Sequence, residues 1–256
     1  MGTKKRLDVL LVERDLVETR SRAAARIMAG DVFVKGQRCT KAGTKLDEFI
    51  EIELRGDALP YVSRGGLKLE AALEAYPSLD VTDLTVIDVG ASTGGFTDCV
   101  LQRGARRVYA VDVGYGQLAW KLRTDDRVIN LERTNIRTID PELIPEPCDL
   151  AVMDCSFISL DKVLPPTLPF LSAGAHVISL IKPQFEVGKE HIARGGVVRN
   201  KKARTQAIDD VIDTARHLGL TLRAGIDCPV HGPAGNVEFL AVFQRVGLGS
   251  VASEEE

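Results

Sequence analysis

The stretch Val86-Ile87-Asp88-Val89-Gly90-Ala91-Ser92-Thr93-Gly94-Gly95-Phe96 is where residue types and spacing first suggest chemistry. An apolar run enters a glycine-rich turn and then a helical pattern, so the backbone can approach a ligand at the carboxyl edge of a sheet. A dinucleotide fingerprint needs G-x-G-x-x-G, which seats a pyrophosphate on the helix N-terminus. Here Ser92 stands where the second glycine belongs and the spacing is G-x-x-x-G-G, a poor fit for a pyrophosphate. The loop suits a ligand without phosphate, such as S-adenosylmethionine. Gly90, Ala91, Ser92, Gly94, Gly95 and Phe96 would bind it, and Asp88 would meet its cationic methionine end. Asp112, closing the next apolar run, would accept both ribose hydroxyls. A tight turn without a ligand is the bland alternative for the glycines alone.

The elements that position this loop follow from periodicity. TVIDVG, RVYAVDVG, RVINLE, DLAVMD and HVISLIK are short apolar runs separated by helix-length segments. Runs of that kind describe a parallel sheet in a doubly wound α/β domain. Leu67–Tyr76 reads as a helix ended by Pro77, and 201–218 as another. LTLRAGI and NVEFLAVF then have no room for a helix between them and should form an antiparallel hairpin at the sheet. Ahead of all this, residues 6–18 read as a short amphipathic helix, and Thr19 caps a second one, Arg20–Ala29, closed by Gly30. Short strands at Val32–Val34 and Phe49–Leu54 complete a unit too small for a large core. The expected division is a small α+β domain at 1–54, a linker at 55–66 (RGDALPYVSRGG), the sheet domain at 67–246, and a frayed acidic tail at 247–256.

Composition sets the outer limits. Hydrophobic residues are 45% and charged residues 27% of the chain, ordinary for a soluble globular protein, which excludes disorder, collagen and coiled coil. The formal charge of -3 excludes a uniformly basic coat, but residues 1–45 hold 11 Lys/Arg against 5 Asp/Glu. A basic head on an acidic body suggests that the head meets a polyanion. The 5 cysteines include no CxxC pair, so neither a disulfide framework nor a zinc site is indicated and a reducing cytoplasm is expected. No apolar stretch reads as a signal peptide or a membrane span.

DVGASTGGFTD, VDVGYGQLAW, LERTN, DCSFISL, IKPQFEVGK and GNVEF resemble the TlyA family, over nearly the whole chain from Arg6 to about Phe243. Its members are ribosomal RNA cytidine 2′-O-methyltransferases, also catalogued as haemolysins. The first 60 residues look like the alpha-L RNA-binding motif, and the rest resembles FtsJ-type RNA ribose methyltransferases of Rossmann-like class I fold. The resemblance implies a Lys-Asp-Lys-Glu tetrad, which falls on Lys68 in SRGGLKL, Asp154 in MDCSF, Lys182 in LIKPQF and Glu238 in NVEF. It also places Asn135 where relatives contact the adenine ring.

The chemistry accounts for those residue types. A ribose 2′-hydroxyl is a weak nucleophile and must lose its proton as it attacks a sulfonium methyl. A lysine accepts a proton only in its neutral form, and the reference ammonium pKa is ~10.4. Desolvation and a second nearby ammonium favour the neutral form. Lys182 is the expected base, Lys68 its helper, and the two acids the positioning groups. No metal is required. From residue types alone, Lys68 reads as a solvated lysine, Glu238 as an edge-strand acid facing water and Asp154 as a helix cap. Lys182, by contrast, is a charge ending VISLI that needs a reason.

For ribosomal RNA or ribosomal subunits as partner, Arg6, Arg20 and Lys41 are the expected phosphate contacts in the head. Arg64 and Arg133 would continue the track, and Phe157 would either stack on a displaced base or belong to the core. His231 and Cys155 have no part in this scheme. Three other readings compete. A cytolysin lacks any insertion segment; a nucleotide oxidoreductase is opposed by Ser92; an RNA-binding protein with a degenerate methyltransferase half is opposed by the intact tetrad and loop. A monomer is the default expectation.

Overall fold

The computed structural model describes residues 4–14, 16, 17, 19–55, 59–232 and 235–246. The expected tail, 247–256, lies outside them. The chain divides between Arg64 and Gly65 into two compact units.

In the N-terminal unit, β1 (Lys4–Arg6) leads into α1 (Leu7–Glu13) and α2 (Arg20–Ala29), followed by β2 (Val32–Val34), β3 (Gln37–Arg38), β4 (Lys45–Asp47) and β5 (Ile52–Leu54). β2 is flanked by β3 and β5, and β1 pairs with β4, all antiparallel. Leu7, Leu11, Ala23, Ile27 and Val32 form the core. Thr19 Oγ1 accepts the Arg22 N–H, and Gly30 takes a φ of 81°, so both expected ends of α2 are present. The first helix is shorter than the expected 6–18, because the N–H groups of Leu16 and Val17 turn back onto the Leu11 carbonyl. The expected strand at Phe49–Leu54 starts only at Ile52. Asp47 takes the Phe49 N–H on its side chain and the Ile50 N–H on its carbonyl, which makes a turn there.

The second unit starts with α3 (Gly65–Ala75), two residues ahead of the expected start. It continues through β6 (Thr85–Val89), α4 (Gly95–Gln102), β7 (Arg107–Asp112), α5 (Trp120–Arg123), β8 (Val128–Glu132), β9 (Cys148–Met153), α6 (Leu164–Thr167), β10 (Leu171–Ile181), α7 (Pro183–Glu186), α8 (Lys201–His217), β11 (Leu220–Asp227) and β12 (Phe239–Arg245). These strands build one seven-stranded sheet in the order β11-β12-β10-β9-β6-β7-β8. The five from β10 to β8 are parallel, and β12 runs antiparallel between β10 and β11. The helical filling between strands is thinner than the sequence pattern predicts. Only 3-10 turns join β8 to β9, where Pro141, Pro145 and Pro147 deny the N–H groups an α-helix needs. β8 is also less buried than its apolar run suggests, because it lies at the sheet edge.

This topology places the site. β6, β7, β9 and β10 all point the same way, so Gly90, Asp112, Asp154 and Lys182, each at or just past a strand end, gather at one edge. β12 runs the other way, with Phe239 opposite Ile181, so Glu238 enters from that same edge.

Candidate active site

At the β6 end the chain folds over its own backbone. The N–H groups of Gly90 and Ala91 donate to the Val111 carbonyl, and that of Gly94 donates to Ala91. The Ser92 N–H donates to Asp112 Oδ2 at 2.7 Å. With these donors engaged inside the protein, the loop offers little to a phosphate. Gly90 has a φ of 86°, and a Cβ there would come to 3.2 Å from the Asp154 carbonyl oxygen. Gly94, with a φ of 93°, has no room for a side chain beside Leu118 and Leu122. The glycine loop therefore lies directly against the segment that carries Asp154.

Asp112 is held from both sides, since the Gly114 N–H donates to Oδ1 at 2.6 Å. A carboxylate has about four acceptor sites, so each oxygen keeps a lone pair for an incoming hydroxyl. A fixed pair of carboxylate oxygens matches a ribose diol and repels a phosphate, so the residues present fit S-adenosylmethionine. Asn135 is exposed, and its side-chain oxygen caps the 3-10 turn at Arg137. Two of the expected ligand contacts are buried. Asp88 is 0% exposed, and Thr97 donates to its Oδ2 from N–H at 3.0 Å and from Oγ1 at 2.6 Å. Its Oδ2 braces α4 beneath the loop, while its buried Oδ1 has no hydrogen-bond partner among the described residues. Burial, opposed by those two hydrogen bonds and reinforced by the neighbouring Asp154 and Asp112 charges, pushes its carboxyl up to about 7. Phe96 is also buried, so its ring belongs to the core and only its backbone borders the loop.

The structure brings the four expected tetrad residues together. Lys182 Nζ forms an ion pair with Asp154 Oδ1 at 2.6 Å and donates to Ser156 Oγ at 2.8 Å. Lys68 Nζ donates to Glu238 Oε2 at 2.6 Å. Gln184, two residues past Lys182, donates to Glu238 Oε1 at 3.3 Å. Lys68 is 8% exposed and Glu238 1%, so neither faces water as residue type alone suggests. Glu238 escapes the solvent because β12 is an inner strand. Two buried ammoniums, each with its own carboxylate, are costly to desolvate unless paired. Burial pushes the Cys155 thiol up to about 12, which leaves it inert beside Asp154. Among the described residues no group of three His, Cys, Asp or Glu is placed to hold a metal ion.

Beside the tetrad stands an aromatic face. Phe157 is 91% exposed with a φ of 65°, and its ring lies 5.1 Å from that of Phe185. Such a φ is strained for a residue with a side chain, and it persists only where neighbours enforce it. Glu186 ties down the segment just after Phe157. Ser159 Oγ donates to its Oε2 at 2.5 Å and the Leu160 N–H to its Oε1 at 3.0 Å, while burial raises its carboxyl pKa. Ser156, Gln184, Phe185 and Glu186 were not singled out by sequence reasoning; their only signal is position inside DCSFISL and IKPQFEVGK. Arg133 is exposed, with its guanidinium 4.1 Å over the Tyr115 ring. His231 sits in the loop before Glu238.

In the N-terminal unit, Arg6 and Arg20 both donate to Asp8. Exposed Lys41 is the neighbour of Ala42, whose carbonyl accepts the Asp8 N–H. Three expected phosphate contacts thus share one locality. Arg64 ends this unit, half-buried.

The FtsJ-like methyltransferase family matches residues 61–245, and the S4 domain family matches residues 5–49. YqxC of Bacillus subtilis is 46% identical over 252 residues, 98% of this chain and 89% of that one. The 16S/23S rRNA (cytidine-2′-O)-methyltransferase TlyA of Mycobacterium tuberculosis is 44% identical over 240 residues, covering 93% of this chain and 89% of its own. A solved structure from Streptococcus thermophilus, named as a hemolysin, aligns with a TM-score of 0.75 at 44% identity, over 96% of this chain and 90% of that one.

Proposed function

The chain belongs to the FtsJ-like methyltransferase family, in the TlyA line that sets an S4 domain ahead of it, and from that premise we propose that it methylates the ribose 2′-hydroxyl of cytidine in ribosomal RNA, 16S or 23S or both. The observation that carries this reading is the two lysine–carboxylate contacts, one of them on the segment that packs against the glycine loop. S-adenosylmethionine, when bound, supplies an electrophilic sulfonium methyl. Asp112 would take its ribose hydroxyls, Asn135 its adenine edge, and the backbone at Gly90, Ala91, Ser92, Gly94 and Gly95 its remaining length.

Lys182, once its ammonium has released its own proton to solvent, is assigned as the base that receives the 2′-hydroxyl proton. Asp154 and Ser156 aim its Nζ, fixing one approach for the hydroxyl, and such orientation is worth several kcal/mol of barrier. Lys68, anchored by Glu238, orients the same hydroxyl and adds a positive charge beside the developing alkoxide. The exposed Phe157 ring offers a stacking face for the extruded base, with Phe185 behind it. Arg6, Arg20, Lys41, Arg64 and Arg133 are assigned to RNA phosphates. A ribosomal substrate would be met in the cytoplasm, by a chain proposed to act as a monomer.

A cytolytic role has less support: among the described residues no helix is long and apolar enough to cross a membrane. Methyl transfer from tritiated S-adenosylmethionine to isolated small and large ribosomal subunits, with nuclease mapping, tests the proposal. Label in a 2′-O-methylcytidine supports it. Label on a base, or on no ribosomal RNA while the cofactor binds, overturns it.

A further inference from the structure

At the start of α1 the backbone is tied to the turn at Lys41–Thr44: the Leu7 N–H donates to the Thr44 carbonyl at 2.8 Å and the Asp8 N–H to Ala42 at 3.2 Å. Asp8 is 4% exposed there. Arg6 grips it with both prongs, Nε to Oδ1 at 2.9 Å and Nη2 to Oδ2 at 2.9 Å. Arg20 Nη2 donates to Oδ2 at 3.1 Å and the Val9 N–H to Oδ1 at 3.0 Å. Four donors fill the acceptor sites of one carboxylate. The hydrogen bond from Arg6 holds its pKa down at about 2, against the desolvation that opposes ionisation.

An ionised acid in the middle of a basic surface weakens attraction for a polyanion if charge is merely counted. Its geometry does something else. The Arg6 and Arg20 side chains are 47% and 61% exposed, so their remaining N–H donors face outward while their inner edges are fixed. A guanidinium carries five donors in a rigid fork, enough to serve a carboxylate and a phosphate together. We propose that Asp8 is a positioning residue that holds Arg6 and Arg20 as a preformed two-arginine clamp for RNA phosphate. This rests on the RNA-binding role given to the N-terminal unit above. Ordering two long side chains in advance removes an entropy penalty that binding would otherwise meet.

Asp8→Asn separates the two effects by sign. The variant adds one positive charge, so simple charge counting predicts tighter RNA binding. The clamp predicts about fivefold weaker binding, the scale of releasing two rotamer-rich side chains. The measurement is filter binding of the full chain to labelled 16S ribosomal RNA across a salt series, with thermal unfolding alongside. Repeating Asp8→Asn on an Arg6→Gln, Arg20→Gln background removes a purely structural explanation. The clamp predicts no further loss of affinity there, whereas general damage to the unit would persist. Equal or tighter binding by Asp8→Asn, or an undiminished loss on the double background, overturns the proposal. No RNA affinity in the parent protein would instead overturn the RNA-binding role on which it rests.

Discussion

In the N-terminal unit Arg6 and Arg20 have side chains 47% and 61% exposed and share one buried carboxylate, Asp8. In the sheet unit Lys68 and Lys182 have side chains 10% and 9% exposed, and each has a carboxylate of its own. Two cations on one acid leave a net positive charge at the surface, suited to a polyanion. Two cations on two acids leave a locally neutral cluster, shielded from water, where a proton can move over a short fixed path. Arginine suits the first task because it stays charged and forks; lysine suits the second because its ammonium can give up a proton when desolvated. Under the proposed function, the contrast separates holding RNA from acting on it.

The largest effect expected from breaking the contrast is at Glu238. Glu238→Ala strands a buried ammonium at Lys68 and should lower stability by about 3–5 kcal/mol, read as a lower urea midpoint with methyl transfer lost. Pairing it with Lys68→Met should restore most of the stability and none of the activity. Unchanged stability in the single variant would mean that the pair is solvated after all. On the surface side, Arg6→Gln with Arg20→Gln should weaken RNA binding roughly tenfold at moderate salt and flatten the log–log salt slope by roughly 1 to 2. Catalysis at saturating RNA should stay near the parent rate. A loss of turnover at saturation would erase the division of labour.

Acidic groups sharpen the comparison through pH. Asp8 is lowered to about 2, so the stability it contributes is present above its unfolded value of 3.8 and lost as pH falls through about 2. Asp88 is raised to about 7, so its contribution is complete below 3.8 and lost as pH rises through about 7. Thermal stability should therefore decline from about pH 4 to about pH 7 and level off above that, and Asp88→Asn should flatten the decline. An unchanged slope in the variant would place the titrating group elsewhere. The smallest effect belongs to Phe157. Phe157→Ala should raise KM for RNA about fivefold, since a stacked base is worth about 1–3 kcal/mol in single-stranded recognition, with cofactor affinity unmoved.

Legibility in the sequence followed chain order. The glycine loop, Asp112, Asp154 and Lys182 each close an apolar run, and a parallel sheet sends all such ends to one edge. Lys68 and Glu238 are 170 residues apart, so only tertiary folding reveals their contact; by residue type they read as surface charges. The burial of Asp88 was hidden for a related reason, because Thr97, which donates to its Oδ2, lies in the first turn of the next element. The basic head was visible as a surplus of Lys and Arg, but counting charge hides the acid that organises two of them. Helix fillers were overread wherever proline removed N–H donors, as at 141–147.

The division between holding and acting is tested most directly by single-turnover methyl transfer with Lys182→Ala at saturating ribosomal RNA and S-adenosylmethionine. The expected result is no 2′-O-methylcytidine above background, with RNA and cofactor affinities within a few fold of the parent protein. Turnover near the parent rate would contradict the assignment of Lys182 as the base, and with it the role given to the buried pairs.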